Sequence, residues 1–162
     1  YVSTGLNKEE GLLLFKYLLK VAKDFEDYTF IMTVANRYIT TKTKQKGNVI
    51  MTEYIPNLRH KLIDCAAYIT YGGYNATVEI LKSCIPSIII PRQDGQKMEQ
   101  FIRAYTFEPH GFYEVVTSQE LSNIGKIIEK VLNNKPKKFK FNLEGATESA
   151  NVIKEIYNGR RL

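Results

Sequence analysis

Five short apolar runs punctuate the chain, and amphipathic stretches separate them. The runs are YVS (1–3), YTFIMTV (28–34), NVIMT (48–52), AAYIT (66–70) and PSIIIP (86–91). They are rich in β-branched and aromatic residues, and several are apolar on consecutive positions. That is the pattern of strands buried on both faces of a parallel sheet. Helix patterns lie between them. In 8–25, Leu12, Phe15, Leu18, Leu19, Ala22 and Phe25 recur on one face. Asn7 is a candidate cap for that helix, with Glu9 and Glu10 in its first turn. Residues 57–65, 74–83 and 97–108 read as shorter helices. In 118–132, Leu121, Ile124, Ile128 and Val131 share a face, and Thr117 with Glu120 has capping-box spacing. A last helix is expected over 145–158.

Strand–helix alternation of this kind predicts an α/β domain: a Rossmann-like parallel sheet with helices on both faces and right-handed crossovers. Such sheets bind ligands outside the carboxyl ends of their strands. The loops at 4–7, 35–37, 53–56, 71–74 and 91–96 are therefore the places to look. Two units are expected. Residues 1–134 form the α/β domain. Residues 135–162 form a lysine-rich connection and a carboxy-terminal helix, packed on the same domain or on a partner half.

Composition narrows this picture. The 162 residues suit one domain, or one domain with a tail, and can bury a core without disulfides. No apolar run approaches the roughly 20 residues of a membrane span. The chain opens at Tyr1 on a strand-like segment, as a piece cut at a domain boundary would. Cys65 and Cys84 sit in apolar surroundings outside any CxxC pair, which reads as two reduced core thiols and favours a reducing, cytoplasmic setting. His60 and His110 lack ligand spacing, so no His/Cys metal site is expected. The net charge of +6 draws on KPKKFK (135–140) and TTKTKQK (40–46). These lysines are either a solvated face or linker, or a surface for a phosphate-bearing partner. No aromatic stacking pattern interleaves with them, which argues against nucleic acid.

Three places could carry chemistry. Gly72 and Gly73 stand between the strand YIT and a helix. Such a turn either answers a need for positive φ or lets backbone N–H groups approach an anion such as a diphosphate at a helix start. Glu79 lies about one and a half turns into that helix. It either supports Lys82 at close spacing or accepts hydrogen bonds from ribose hydroxyls. In PRQDGQKMEQFIRA (91–104), Arg92 enters a polar loop. Gln96, Glu99, Gln100 and Arg103 then share one helix face, as an exposed helix start or as a grip on sugar hydroxyls.

Taken in order, YITYGGYNATVEILKSCIPSIIIPRQDGQKMEQFIRA (68–104) resembles the nucleotide-sugar-binding half of GT-B-type glycosyltransferases. The likeness is to those related to the bacterial N-acetylglucosaminyltransferase that makes lipid II. It is strongest over 66–104 and extends more weakly from the first strand to about 132. It implies one half of a GT-B fold. It implies that Thr4, Gly5, Gly72, Gly73, Tyr74 and Asn75 hold the donor diphosphate, mainly through backbone N–H groups. Glu79 would take the ribose, and main-chain groups of Tyr54 and Ile55 the base. Arg92, Gln96, Glu99 and Gln100 would take the donor sugar. Three positions depart from the family pattern: Leu6 replaces a second glycine, Tyr71 a frequent histidine, and Tyr74 a smaller residue.

The resemblance further implies transfer of a hexose or N-acetylhexosamine from a nucleoside diphosphate sugar, with UDP as the expected carrier. The acceptor would sit on an amino-terminal domain of the same protein. No catalytic base is identified, the fragment alone is expected to turn over little, and neither a metal nor a cofactor beyond the substrate is expected. Three alternatives remain: a nucleotide-sugar epimerase or hydrolase of the same architecture; a non-catalytic nucleotide-binding subunit docked through its lysines on an anionic membrane surface; and a structural domain with a decayed pocket.

Overall fold

The computed structural model describes residues 1–3, 8–33, 43–92, 98–140, 142 and 144–159. Its strands are β1 (Val2–Ser3), β2 (Phe30–Thr33), β3 (Thr43–Lys46), β4 (Val49–Thr52), β5 (Tyr68–Thr70), β6 (Ser87–Ile89) and β7 (Glu114–Val115). Its helices are α1 (Lys8–Val21), α2 (Leu58–Ile63), α3 (Tyr74–Ser83), α4 (Met98–Phe107), α5 (Ile124–Asn133) and α6 (Gly145–Tyr157). All five expected strands form where the apolar runs stand.

The strands make one sheet in the order β3-β4-β2-β1-β5-β6-β7. Every pairing is parallel except β3 with β4. Central β1 pairs with β2 on one side and β5 on the other. The chain moves outward from β1 through β2 to β4, returns to β5, and moves outward again to β6 and β7. Strand order thus reverses between β1 and β5. After β1 the chain goes on to β2 on one side, and after β5 to β6 on the other, so the switch point where such sheets form a ligand crevice lies at the carboxyl ends of these two strands.

Strand alternation divides the core in two. Ile69, Ile88 and Ile90 join Val2, Met32, Leu14, Leu18, Ile124 and Ile128 on the face covered by α1 and α5. Tyr68 and Ile89 join Leu62, Ile80, Leu81 and Ala104 on the face covered by α2, α3 and α4. Helices therefore cover both faces, as the near-continuous apolar strands require.

Two elements differ from expectation. Part of the lysine run at 40–46 is the edge strand β3, exposed at all four residues and turned into β4 through Gly47 at φ +58°. A polar, lysine-bearing edge resists pairing with other chains. The helix expected over 118–132 begins as a 3-10 segment, Ser118–Asn123, before α5. Its capping box forms: the Glu120 carboxylate accepts from the Thr117 N–H (2.9 Å) and hydroxyl (2.7 Å).

The lysine-rich connection is anchored to the domain. Lys137 N–H donates to Gly111 O (2.9 Å), and the Phe139 ring meets Phe112 and Phe107 edge-on at 5.2 and 6.0 Å. The Lys82 ammonium pairs with Glu144 (3.1 Å) just before α6. Val152, Ile153, Ile156 and Tyr157 of α6 are exposed.

Candidate functional site

The site is built around the turn between β5 and α3. Gly72 sits at φ +67°, and a Cβ there would lie 2.5 Å from Ile89 Cγ2. Glycine is thus required twice, by the left-handed backbone and by the close approach of β6. Gly73 differs: its φ is −56°, and an added Cβ would meet nothing within 4 Å. Its open side is where another molecule can come close to the main chain.

Gly73 is the N-cap of α3 and offers no side chain, and no acidic residue stands in the first turn. The first intrahelical acceptor is Gly73 O, bound by Thr77 N–H at 3.0 Å. Among the described residues, no hydrogen bond uses the N–H groups of Tyr74, Asn75 or Ala76. Bare amides at the positive end of a helix dipole, beside an open glycine, form a cradle for an anion.

Two arginines lie against this turn. Arg92, at the carboxyl end of β6, is buried, and its guanidinium stacks over the Tyr71 ring at 5.5 Å. Tyr71 itself is in the core. Tyr71 thus gives Arg92 a ring that supports its cation. Arg103, on α4, is only 15% exposed in its side chain; it donates through Nη2 to Gly72 O (3.1 Å) and through Nη1 to Glu99. Its Cζ lies 5.8 Å from the Tyr74 ring centre. Tyr74 is exposed on the surface beside Arg103. Among the described residues, the buried side-chain polar atoms without a partner are Arg92 Nε, Gln100 Oε1 and Arg103 Nε. In native proteins such atoms are usually satisfied by an ordered water, an ion or a ligand. Arg92 follows β6, and Gln100 and Arg103 lie on α4, from which Arg103 reaches the glycine turn.

α4 is held firmly in place. Ala104 is buried, and the Tyr113 hydroxyl donates to its carbonyl at 3.1 Å. Burial pushes the Tyr113 phenol well up, which keeps it a donor. Glu99 is exposed apart from its pairing with Arg103, and Gln100 is half-buried.

Glu79 is 24% exposed in its side chain and pairs with Arg59 Nε of α2 at 3.2 Å. It does not support Lys82, which pairs with Glu144 instead. One carboxylate oxygen is engaged by Arg59, which leaves acceptor capacity on the other. In the loop after β4, buried Ile55 anchors the chain while Tyr54 is 71% exposed. Tyr54 O accepts from the Thr52 hydroxyl at 3.1 Å, which fixes the main chain there. Thr4, Gly5, Leu6 and Gln96 lie outside the described residues, as does the candidate cap Asn7.

The remaining candidates lie elsewhere. His60 is exposed on α2, and His110 stacks on Phe112 (5.7 Å) before the amino end of β7, at the opposite end of the sheet. Both cysteines are free; burial raises the Cys65 thiol, so it is held protonated. Among the described residues, no three His, Cys, Asp or Glu side chains group as a metal site needs. Among the described residues, no helix is long and apolar enough to cross a membrane. A cleft of about 260 Å³ opens at the amino ends of β1, β2 and β5, lined by Tyr1, Tyr28, Phe30, Cys65, Ile69 and Leu132. It is mostly apolar. It therefore lacks the convergent donors that a phosphate-bearing ligand demands.

Arg103 was legible only as a member of the α4 face. Its bond to Gly72 spans 31 residues and ends on a main-chain carbonyl, which no side-chain pattern announces.

Comparison with known proteins bears on the family and on the fold. A model described as the glycosyltransferase family 28 C-terminal domain matches residues 17–156. The UDP-N-acetylglucosamine–N-acetylmuramyl-(pentapeptide) pyrophosphoryl-undecaprenol N-acetylglucosamine transferase of Thermosipho melanesiensis is 28% identical over 114 residues, 69% of this chain and 32% of that protein. A Caenorhabditis briggsae protein named as a UDP-glucuronosyltransferase is 33% identical over 85 residues, 49% of this chain and 16% of its own length. Among solved structures, the glycotransferase of kitacinnamycin superposes with a TM-score of 0.63 at 15% identity, over 82% of this chain and 35% of that one. The glycosyltransferase VinC in complex with dTDP gives 0.62 at 17% identity, over 82% and 33%. These superpositions show a shared fold. The chain spans about a third or less of the length of these relatives.

Proposed function

The chain belongs to the glycosyltransferase family 28 C-terminal domain family, and from that premise we propose that it binds the sugar donor for a glycosyl transfer. The donor is a nucleoside diphosphate sugar with UDP as carrier, and a hexose or N-acetylhexosamine is transferred. The observation that carries this reading is the uncapped amino end of α3, with three amides unused among the described residues and Gly73 open to approach. The relatives named for UDP donors and the dTDP complex of a protein of like fold support a nucleoside diphosphate as the ligand.

In this mechanism, the bond from the sugar's anomeric carbon to the diphosphate oxygen breaks as the acceptor oxygen bonds to that carbon. Negative charge grows on the leaving diphosphate. The Gly73–Ala76 amides and the α3 dipole meet it without reorganising, which is how a preformed site lowers such a barrier. Buried Arg92 adds a positive charge where water screens it poorly. Glu79 accepts from the ribose hydroxyls, the Tyr54–Ile55 main chain holds the base, and Glu99 and Gln100 hold the sugar. Thr4, Gly5 and Gln96 complete the set. The acceptor and the base that takes its proton belong to an amino-terminal domain of the same protein, so this chain alone binds donor without appreciable turnover.

A melting experiment with a nucleotide panel tests the binding. A ligand at 100 times its Kd stabilises by about 2.7 kcal/mol, or roughly 5–10 °C for a chain of this size. UDP and UDP-sugars at millimolar concentration should raise Tm on that scale. A panel of nucleoside diphosphates and their sugars that leaves Tm unmoved would overturn the proposal.

A further inference from the structure

We infer that Arg103 is the positioning residue of the donor site, holding the Gly72–Gly73 peptide so that its N–H faces the diphosphate and coupling that turn to the sugar-contacting face of α4. The inference rests on the donor-site reading. A trans peptide points its carbonyl and its N–H in opposite directions. Two donors converge on Gly72 O: Arg103 Nη2 at 3.1 Å and the Thr77 hydroxyl at 3.3 Å. With that carbonyl held, the Gly73 N–H can only point away from Arg103 and Thr77. Gly72, at positive φ, is otherwise a pivot that could let the peptide rotate.

Arg103 is suited to this role where lysine is not. Its fork bonds Gly72 O with one terminal nitrogen and Glu99 with the other, so a single rigid group spans the turn and the first turn of α4. Its stem is nearly buried, and its charge lies under the Tyr74 ring at the start of α3. A positive charge fixed behind the cradle, partly shielded from water, also strengthens the field that an anion meets. A shift of the sugar that moves Glu99 is therefore transmitted to the phosphate-facing peptide through one guanidinium.

The test compares UDP with uridine, which keeps base and ribose but has no phosphate. Affinities are measured by NMR titration for the wild-type chain and for Arg103→Gln and Arg103→Lys, with Tm recorded for each. Arg103→Gln should weaken UDP by about tenfold, as the loss of one hydrogen bond from a charged donor does, and leave uridine within about twofold. Arg103→Lys, which keeps the charge and can satisfy only one acceptor at a time, should fall between wild type and Arg103→Gln. It also serves if Arg103→Gln does not fold. Equal losses for UDP and uridine, or UDP affinity unchanged in both Arg103 variants, would overturn the assignment and leave the donor site standing. A wild-type chain that binds neither ligand would overturn the donor site itself, and the assignment with it.

Discussion

Gly72 and Gly73 are neighbours with opposite demands. At Gly72 an alanine would impose a left-handed backbone penalty of about 1–2 kcal/mol. It would also force its Cβ into Ile89, an overpacking of about 1–3 kcal/mol. Gly72→Ala should therefore lower stability by roughly 2–5 kcal/mol in denaturant titration, the sum of those two costs. Gly73→Ala, with ordinary φ and empty space around the new methyl, should melt as the wild type does. It should nonetheless weaken UDP binding, because the methyl occupies the approach to the amides. Equal melting losses for the two variants would contradict this division. Glu79 can be separated from its partner in the same way. Glu79→Ala should weaken UDP by roughly 1.5–3 kcal/mol, the worth of hydrogen bonds to a charged group. Arg59→Ala removes only an exposed partner, whose pairing is worth about 1 kcal/mol or less, and should leave affinity nearly unchanged. If Glu79 serves only Arg59, calorimetry will show neither variant altering UDP affinity.

At the scale of elements, the capping box before α5 gives a pH signature. Hydrogen bonds from the Thr117 N–H and hydroxyl hold the Glu120 carboxyl below its ordinary value of 4.5. A carboxyl lowered in the folded state stabilises above its unfolded pKa, and that contribution disappears as pH falls through the folded one. Glu120→Gln should thus cost stability at pH 7, and the gap from wild type should close as the pH drops below 4.5. A gap that stays constant across that range would show that the ionised carboxylate is not what matters. The same segment shows what sequence can and cannot reveal. Thr117 and Glu120 announce the cap by spacing, and Leu121, Ile124, Ile128 and Val131 announce the buried face, because both signals are local. Strand β3 escaped because Thr43–Lys46 has no apolar side: an edge strand exposed on all residues lacks the alternation by which strands are recognised. Gly72 was legible as a turn. Its contact with Ile89 was not, since a pairing across 17 residues depends on the register of β5 against β6. Arg103 was hidden for the same reason.

At the scale of the molecule, sheet topology decides where function can sit. Reversal of strand order between β1 and β5 puts a crevice beside the one helix start that combines paired glycines, no cap and no acid. The apolar cleft of about 260 Å³ lies at the opposite end of the same strands. The most direct measurement is therefore a UDP titration of the 15N-labelled chain followed by amide chemical shifts. The largest changes should fall on Gly72–Ala76 and Glu79, with Tyr28, Phe30 and Leu132 unmoved. Shifts concentrated at those last three residues, or saturation without change at Gly73–Ala76, would contradict the account.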